Sequence, residues 1–405
     1  MANILFVHNN FPGRFAFLLP SLLSAGHRCA AIAQGGRQVD GIPLMLWKSG
    51  RASTPEILDL AVRAEADLIR GRAAADRALE LKESGFEPDL IIGHPAWGEA
   101  AFMKDIFPHA RQILVGELYY RSTGGDADFD PEFNDGGVID PFKVHAKNAV
   151  MAMSYAEADR IIFPTPFQGS GFPPAFRERA LVIHEGIDLD FINRRPGARL
   201  RLNGATELDG STPVVTFINR VFEPMRGFHV MMRALPALLQ AVPNVTVIMI
   251  GKDAGAGYGM AAPGGGTWRS HMMKEVGERL DTARVVFTGQ VPHETMLAAL
   301  SLSWAHVYYT YPFVLSWSAL EAMACECLFL GSDTPPVRDA VEHCKNGLLH
   351  DFFDIGALSQ AMIDACLHPE RYPTLRTAAR RTVAEHYDQR RVCLPAWLKV
   401  IDGLL

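Results

Sequence analysis

At 405 residues, with 48% hydrophobic and 21% charged side chains, the chain is long enough for two packed cores and has the make-up of a globular protein. A formal net charge of -6 excludes a general nucleic-acid binder but leaves room for a few arginines aimed at an anion. The six cysteines, at 29, 325, 327, 344, 366 and 393, are sparse and mostly sit in apolar runs, so they read as core thiols of a reducing compartment. Cys325-Glu326-Cys327 has no second pair at metal-ligand spacing, so no metal site is expected there. The N-terminus opens directly as a strand, and no apolar stretch reaches the length of a membrane span. The expected location is the cytoplasm, with peripheral contact at the inner face of the membrane left open.

Residues 3–8 form a buried-strand run that Pro12-Gly13 breaks, and 14–25 read as a helix. A second strand is predicted over 28–33, and 53–84 is rich in Ala, Leu, Glu and Arg, a helical pattern. Further strands are predicted over 89–93, 112–116 and 160–163. Between 189 and 212 Arg, Asn, Gly and Pro dominate, as in Asn193-Arg194-Arg195-Pro196-Gly197, which predicts a linker. Strands over 213–218, 245–250, 285–287, 306–309 and 328–330 then repeat the rhythm, with helices over 227–241 and 316–325. Residues 251–266 are glycine-rich and read as a loop, and 372–405 read as wholly helical. Strands alternating with helices imply parallel sheets covered on both faces. The fold class is therefore α/β, with two doubly wound, Rossmann-like domains whose ligands bind beyond the carboxyl ends of the strands, facing a central cleft. The expected boundaries are 1–190 for the acceptor-side domain, 191–212 for the linker and 213–385 for the nucleotide-binding domain. Residues 386–405 are expected to pack back on the first domain.

Arg220 ends the first strand of the second domain and Arg226 begins the next helix, so both point at one place. A helix start favours anions, and two guanidinium groups repel each other unless something negative joins them. A diphosphate fits, because guanidinium binds phosphate bidentately. A surface pair with Glu223 is the plainer alternative. Downstream, Ser316 suits an N-cap, and the backbone N–H groups around Val314, Leu315, Ser316 and Trp317 suit phosphate or sugar oxygens. Glu321 lies in an otherwise apolar helix and must find a partner or line a cleft. There it can accept hydrogen bonds from two ribose hydroxyls, or pair with a structural arginine. In the first half, Gly13 lets backbone approach a ligand and Arg14 suits a phosphate, while His94 and Trp97 suit acceptor hydroxyls and a sugar face. Ordinary turns explain the same residues. Asp126-Ala127-Asp128 has an Asp-x-Asp spacing but lies in an acidic loop, 125–135, more simply read as solvated.

The second half resembles that of the group-1, or family-4, glycosyltransferases, which have the GT-B fold. Arg220 and Arg226-Gly227 resemble that family's Arg and Lys-Gly diphosphate clamp, and Leu320-Glu321-Ala322-Met323-Ala324 matches its Leu-Glu-Ala-Met-Ala helix. His184-Glu185-Gly186-Ile187-Asp188 resembles its Asn-Gly-Val-Asp, and Asn346-Gly347-Leu348-Leu349 its Asn-Gly-Leu-Leu strand. Gly289-Gln290-Val291-Pro292 resembles its segment beside the nucleotide base. In the first half, Phe11-Pro12-Gly13 takes the place of its first glycine loop.

The resemblance implies a retaining glycosyltransferase that uses a nucleotide-diphosphate sugar as co-substrate and needs no metal or other cofactor. It assigns the diphosphate to Arg220 and Arg226 and the ribose to Glu321, with Gly13, Gln290 and Val291 also on the donor. Glu117 stands where members often place a His close to the sugar, where it can orient the donor or stabilise developing positive charge; an ion pair within the first domain is the alternative. One departure is plain. The family carries two glutamates with seven residues between them, the first touching the sugar; here that donor-side position is Phe313, and the hydroxyls and backbone of residues 311–318 stand in for the carboxylate. The expected reaction moves a sugar to an acceptor hydroxyl of a glycan, lipid-linked, protein or small-molecule acceptor. A non-catalytic nucleotide-sugar-binding subunit, or an epimerase or phosphorylase of the same fold, are the alternatives. A dinucleotide-dependent oxidoreductase lacks its Gly-x-Gly-x-x-Gly turn.

Overall fold

The computed structural model describes residues 1–133, 140–202, 207–255 and 257–405. The chain divides into two compact units, one of residues 1–186 and 389–405, the other of residues 187–388.

Seven parallel strands make the sheet of the first unit, in the order Leu44–Leu46, Arg28–Ala33, Asn3–Val7, Leu90–Gly93, Arg111–Val115, Arg160–Phe163, Ala180–Val182. Apolar residues fill the central strand because both of its faces are covered. Ile4 and Phe6 pack with Phe15, Leu22, Trp397 and Ile401, while Leu5 and Val7 face the opposite side and pack with Ala74, Ala78 and Leu81 of the long helix Val62–Glu83. The last helix, Leu394–Asp402, thereby contributes to the core of the first unit.

Six parallel strands form the second sheet, in the order Val285–Gly289, Thr246–Lys252, Val214–Val221, Ala305–Tyr308, Leu328–Ser332, Leu348–His350. In each sheet the first strand lies centrally, with later strands added on either side. Its carboxyl end is then the place where the order reverses and a crevice opens.

Several elements differ from expectation for local reasons. Residues 14–25 do not form one helix. A 3-10 turn over Gly13–Phe15 is followed by a short helix, Leu19–Ser24, because Pro20 lacks the N–H needed to continue the first into the second. The helix expected from 53 starts at Val62, since Thr54 and Arg51 instead bond to the carboxylate of Glu65. The C-terminal region is not wholly helical: Pro373–His386 ends where Tyr387 accepts a hydrogen bond from the Ile187 N–H, at 2.7 Å. A π turn over Gln389–Cys393 then precedes the last helix. Of residues 191–212, Ile192, Leu200 and Leu202 are buried in the core of the second unit, and 203–206 lie outside the described residues. All six cysteines are free thiols.

Trp397 is 1% exposed and meets Phe17 edge-on at 6.0 Å. Truncating a buried aromatic ring removes its transfer energy and leaves a cavity. Trp397→Ala should therefore cost about 3–5 kcal/mol, read as a lower denaturant midpoint for the first unit.

Candidate functional site

In the second unit the candidate residues gather at the carboxyl end of the central strand Val214–Val221. This strand is rich in β-branched residues and pairs with Ala305–Tyr308 through Val215↔Ala305, Thr216↔His306 and Phe217↔Val307. Its pairing with Thr246–Lys252 is irregular between Ile218 and Val221, the stretch that carries Asn219 and Arg220. The chain then turns through Pro224–Arg226 into the helix Phe228–Ala241. Gly227 makes that turn possible. Its φ is +69°, and a Cβ there would lie 2.2 Å from the Cβ of Tyr309.

Arg226 is buried, and its Nη1 donates to Tyr308 Oη at 3.0 Å, Thr310 Oγ1 at 3.0 Å and the Val314 carbonyl at 2.8 Å. These three oxygens are neutral, so they hold the guanidinium without cancelling its charge. Arg220 is exposed, and its guanidinium carbon lies 4.4 Å from the ring centre of Tyr258. Arg226 lies 5.9 Å from the same ring and 5.2 Å from that of Phe313. The two arginines thus converge on one aromatic pair. Glu223, the alternative partner from the sequence, accepts the N–H groups of Tyr258 and Gly259 at 2.9 and 2.8 Å.

The segment 313–316 is tied to the same group. Val314 supplies a carbonyl to Arg226, and the Ser316 N–H donates to Tyr308 Oη at 2.8 Å. That N–H is thus committed within the protein, a departure from the expected cradle of backbone donors. Leu315 is buried in the core. Ser316 occupies the N-cap position of Trp317–Ala324, but its side chain makes no capping bond. Glu321 lies five residues further on, about 7.5 Å along the helix axis at ~1.5 Å per residue. Its carboxylate accepts from His293 Nε2 at 2.9 Å, a hydrogen bond that raises the His293 pKa. His293 opens the helix His293–Leu302, just after exposed Gln290 and half-buried Val291, which packs on the core of the second unit. His293, Tyr308, Thr310 and Tyr258 were not picked from the sequence. Tyr308 and Thr310 follow one signal, that they end the strand beside Arg220. Tyr258 gave none beyond its glycine-rich surroundings.

The first unit gathers a second group at the same topological position. His8 follows Asn3–Val7, His94 follows Leu90–Gly93, Glu117 follows Arg111–Val115, and His184 and Glu185 follow Ala180–Val182. Glu117 receives Arg14 Nη2 at 2.8 Å on one oxygen and His94 Nε2 at 3.1 Å on the other. Arg14 also lies 3.1 Å from Glu185 Oε1. Two carboxylates therefore surround Arg14, which the sequence had suggested for a phosphate, and its charge is already balanced. Trp97 lies 4.9 Å from the His94 ring, and His8 5.5 Å from His94. Gly13, at φ +47°, packs so closely that a Cβ would meet His8 Cε1 at 2.9 Å. The five first-half residues chosen from sequence thus sit together. His8, His184 and Glu185 were missed, although each follows a strand as the chosen ones do. Asp128 accepts the N–H groups of Gly124 and Gly125 and so closes a turn. Asn134 and Asp135 of that acidic loop lie outside the described residues. Among the described residues, no three His, Cys, Asp or Glu are grouped to hold a metal ion.

Burial, reinforced by His94 and Arg14, lowers the His8 pKa to about 3. For Glu117, burial works toward a higher value, but Arg14 and His94 outweigh it and hold the carboxyl well below its usual range. Burial also lowers His94 and His184. An unfolded chain protonates His8 near 6.5, whereas the folded chain does so only near 3. The unfolded state binds more protons throughout that window, so stability falls as pH drops from 6.5 toward 3. Urea unfolding at pH 7.5, 6 and 5 should show this decline, and His8→Gln should make it shallower.

Two family profiles match the chain: "Glycosyl transferase family 4 group" over residues 25–192 and "Glycosyl transferases group 1" over 201–382. A GDP-mannose-dependent alpha-(1-6)-phosphatidylinositol monomannoside mannosyltransferase of Mycolicibacterium smegmatis is 26% identical over 243 residues, covering 58% of this chain and 60% of that protein. A D-inositol 3-phosphate glycosyltransferase of Mycolicibacterium vanbaalenii is 26% identical over 212 residues, covering 51% of this chain and 45% of that one. The matched stretches thus span about half the length of these relatives. Among solved structures, sucrose-phosphate synthase from Thermosynechococcus elongatus superposes with a TM-score of 0.71 at 17% identity, over 100% of this chain and 99% of that one. HepE of Anabaena, in complex with UDP and glucose, does so at 0.67 and 16%, over the full length of both. No helix among the described residues is long and apolar enough to cross a membrane. With one profile on each half, and a two-sheet fold shared with those structures, the chain belongs to the group 1 glycosyltransferases of the GT-B fold.

Proposed function

We propose that the chain transfers a glycosyl group from a nucleoside diphosphate sugar to an acceptor hydroxyl, with retention and without a metal or other cofactor. The observation that carries this reading is the convergence of Arg220 and Arg226 at the end of a central strand, with Arg226 held by three neutral oxygens among the described residues. A buried cation of that kind attracts an anion strongly, because little water screens it. Glu321, further along the helix, is assigned to the ribose hydroxyls, beside Gln290 and Val291. Family membership and the dependence of the Mycolicibacterium smegmatis relative on GDP-mannose agree with a nucleotide-sugar donor, as does the UDP bound by HepE, which shares the fold.

When the bond between the sugar and the diphosphate breaks, its electron pair moves to the phosphate oxygen and positive charge develops on the sugar. Arg220 and Arg226 stabilise the growing negative charge, the role a metal ion plays in other transferases. Glu117 is the carboxylate assigned to the sugar's positive charge, and Arg14 and His94 keep it ionised. The departing phosphate takes the proton of the entering hydroxyl on the face it leaves, which gives retention. His94 and Trp97 are assigned to the acceptor. Two relatives act, by name, on inositol-containing acceptors and a third, from Streptomyces fradiae, on 2-deoxystreptamine. Polyhydroxylated rings, free or lipid-linked, are thus the first acceptors to screen.

The test is turnover of radiolabelled UDP-glucose and GDP-mannose with and without acceptor. Transfer to acceptor is expected; hydrolysis, epimerisation, phosphorolysis or binding alone would overturn the reading. Arg220→Ala should lower kcat/KM by roughly 10²–10³-fold, as for loss of one donor to a developing anion, while the melting temperature stays unchanged. Glu321→Ala should weaken nucleoside diphosphate binding by about 10–100-fold, the loss of hydrogen bonds to a charged group.

A further inference from the structure

The glycine-rich stretch 251–266, apart from Ala256, is described, and it is pinned beside the two arginines. The buried carboxylate of Glu223 accepts the N–H groups of Tyr258 and Gly259. The glycines on either side of Tyr258 leave room for that carboxylate. A Cβ on Gly257 would lie 2.4 Å from Glu223 Oε2, and one on Gly259 3.2 Å. Further along, Trp268 Nε1 donates to the Met260 carbonyl at 2.8 Å. The backbone at Tyr258 is thus held from two sides, and the side chain is placed rather than left to wander.

That side chain is 50% exposed, yet it packs on Arg220 at 4.4 Å and on the Phe313 ring at 5.0 Å. Phe313 is only 6% exposed and lies 5.2 Å from Arg226. Phe313 therefore forms the floor and Tyr258 the open wall of an aromatic corner. A ring centre 4.4 Å from the Arg220 guanidinium carbon shields that group on one side and leaves N–H groups for phosphate oxygens. A group attached to the second phosphate would then be within reach of the two rings. The C–H bonds of a sugar carry slight positive charge and suit the negative face of an aromatic ring, as cations do.

We infer that Tyr258, backed by Phe313, is the sugar subsite: it binds the donor's neutral hexose through its C–H face. The inference rests on the proposed nucleotide-sugar donor and adds a residue that selects the sugar rather than the nucleotide.

Calorimetric titration of the full chain with UDP, UDP-glucose, GDP and GDP-mannose tests it, using the pair that binds the wild type. Tyr258→Ala and Tyr258→Leu should weaken the nucleotide sugar about tenfold and the bare diphosphate less than twofold. Tyr258→Phe should keep both. Equal weakening of diphosphate and nucleotide sugar would mean that the ring serves only the arginines, and the inference would fail. An unchanged nucleotide-sugar affinity in Tyr258→Ala would overturn it as well. If neither pair binds the wild type at millimolar concentration, the donor reading falls first and this inference with it.

Discussion

Arg226 is a cation taken out of water, and much of the candidate site can be read as the means of tolerating it. Burying a charge costs several kcal/mol unless polar groups replace its hydration. Here the replacements come from Tyr308 and Thr310 on the neighbouring strand end and from the carbonyl of Val314. Tyr308 also takes the Ser316 N–H, so the same hydroxyl fixes the start of the helix that carries Glu321. Displacing the guanidinium would disturb the strand end, the 313–316 segment and the helix start together.

The two units treat a buried arginine in opposite ways. Arg14 is surrounded by Glu117 and Glu185, so its field is cancelled and its work is to keep Glu117 ionised and oriented. Arg226 is held by dipoles, and its field remains available. Both arginines stand in turns after a central first strand, because parallel sheets with that strand order open a crevice there. Strand order thus explains where the groups gather, and the charge of their neighbours explains what each can do.

Phe313 illustrates how one position can alter a site without altering the fold. The glycosyltransferase pattern places a glutamate there, and this chain places a ring beside Arg226. A carboxylate would partly neutralise the arginine, whereas a ring faces it without removing its charge. Tyr258 reinforces that choice from a loop distant in sequence.

By itself the sequence determined the central strands and the α/β class, because apolar runs such as Asn3–Val7 and Val214–Val221 are local patterns that only a sheet buried on both faces accommodates, whereas the short edge strands Leu44–Leu46 and Ala180–Val182 carry no such run and went unpredicted. It also marked Arg220, Arg226, Glu321 and the strand-end residues of the first half, since strand ends are readable wherever strands are. The breaks at Pro20 and Tyr387 depend on a missing N–H and on a bond to Ile187, and of these only the proline was visible beforehand. Tertiary structure alone decided that Tyr258 meets Arg220, that His293 meets Glu321, and that Arg14 is neutralised by Glu117 and Glu185. Those pairings join residues far apart in sequence, and no local periodicity encodes which loops a sheet brings side by side.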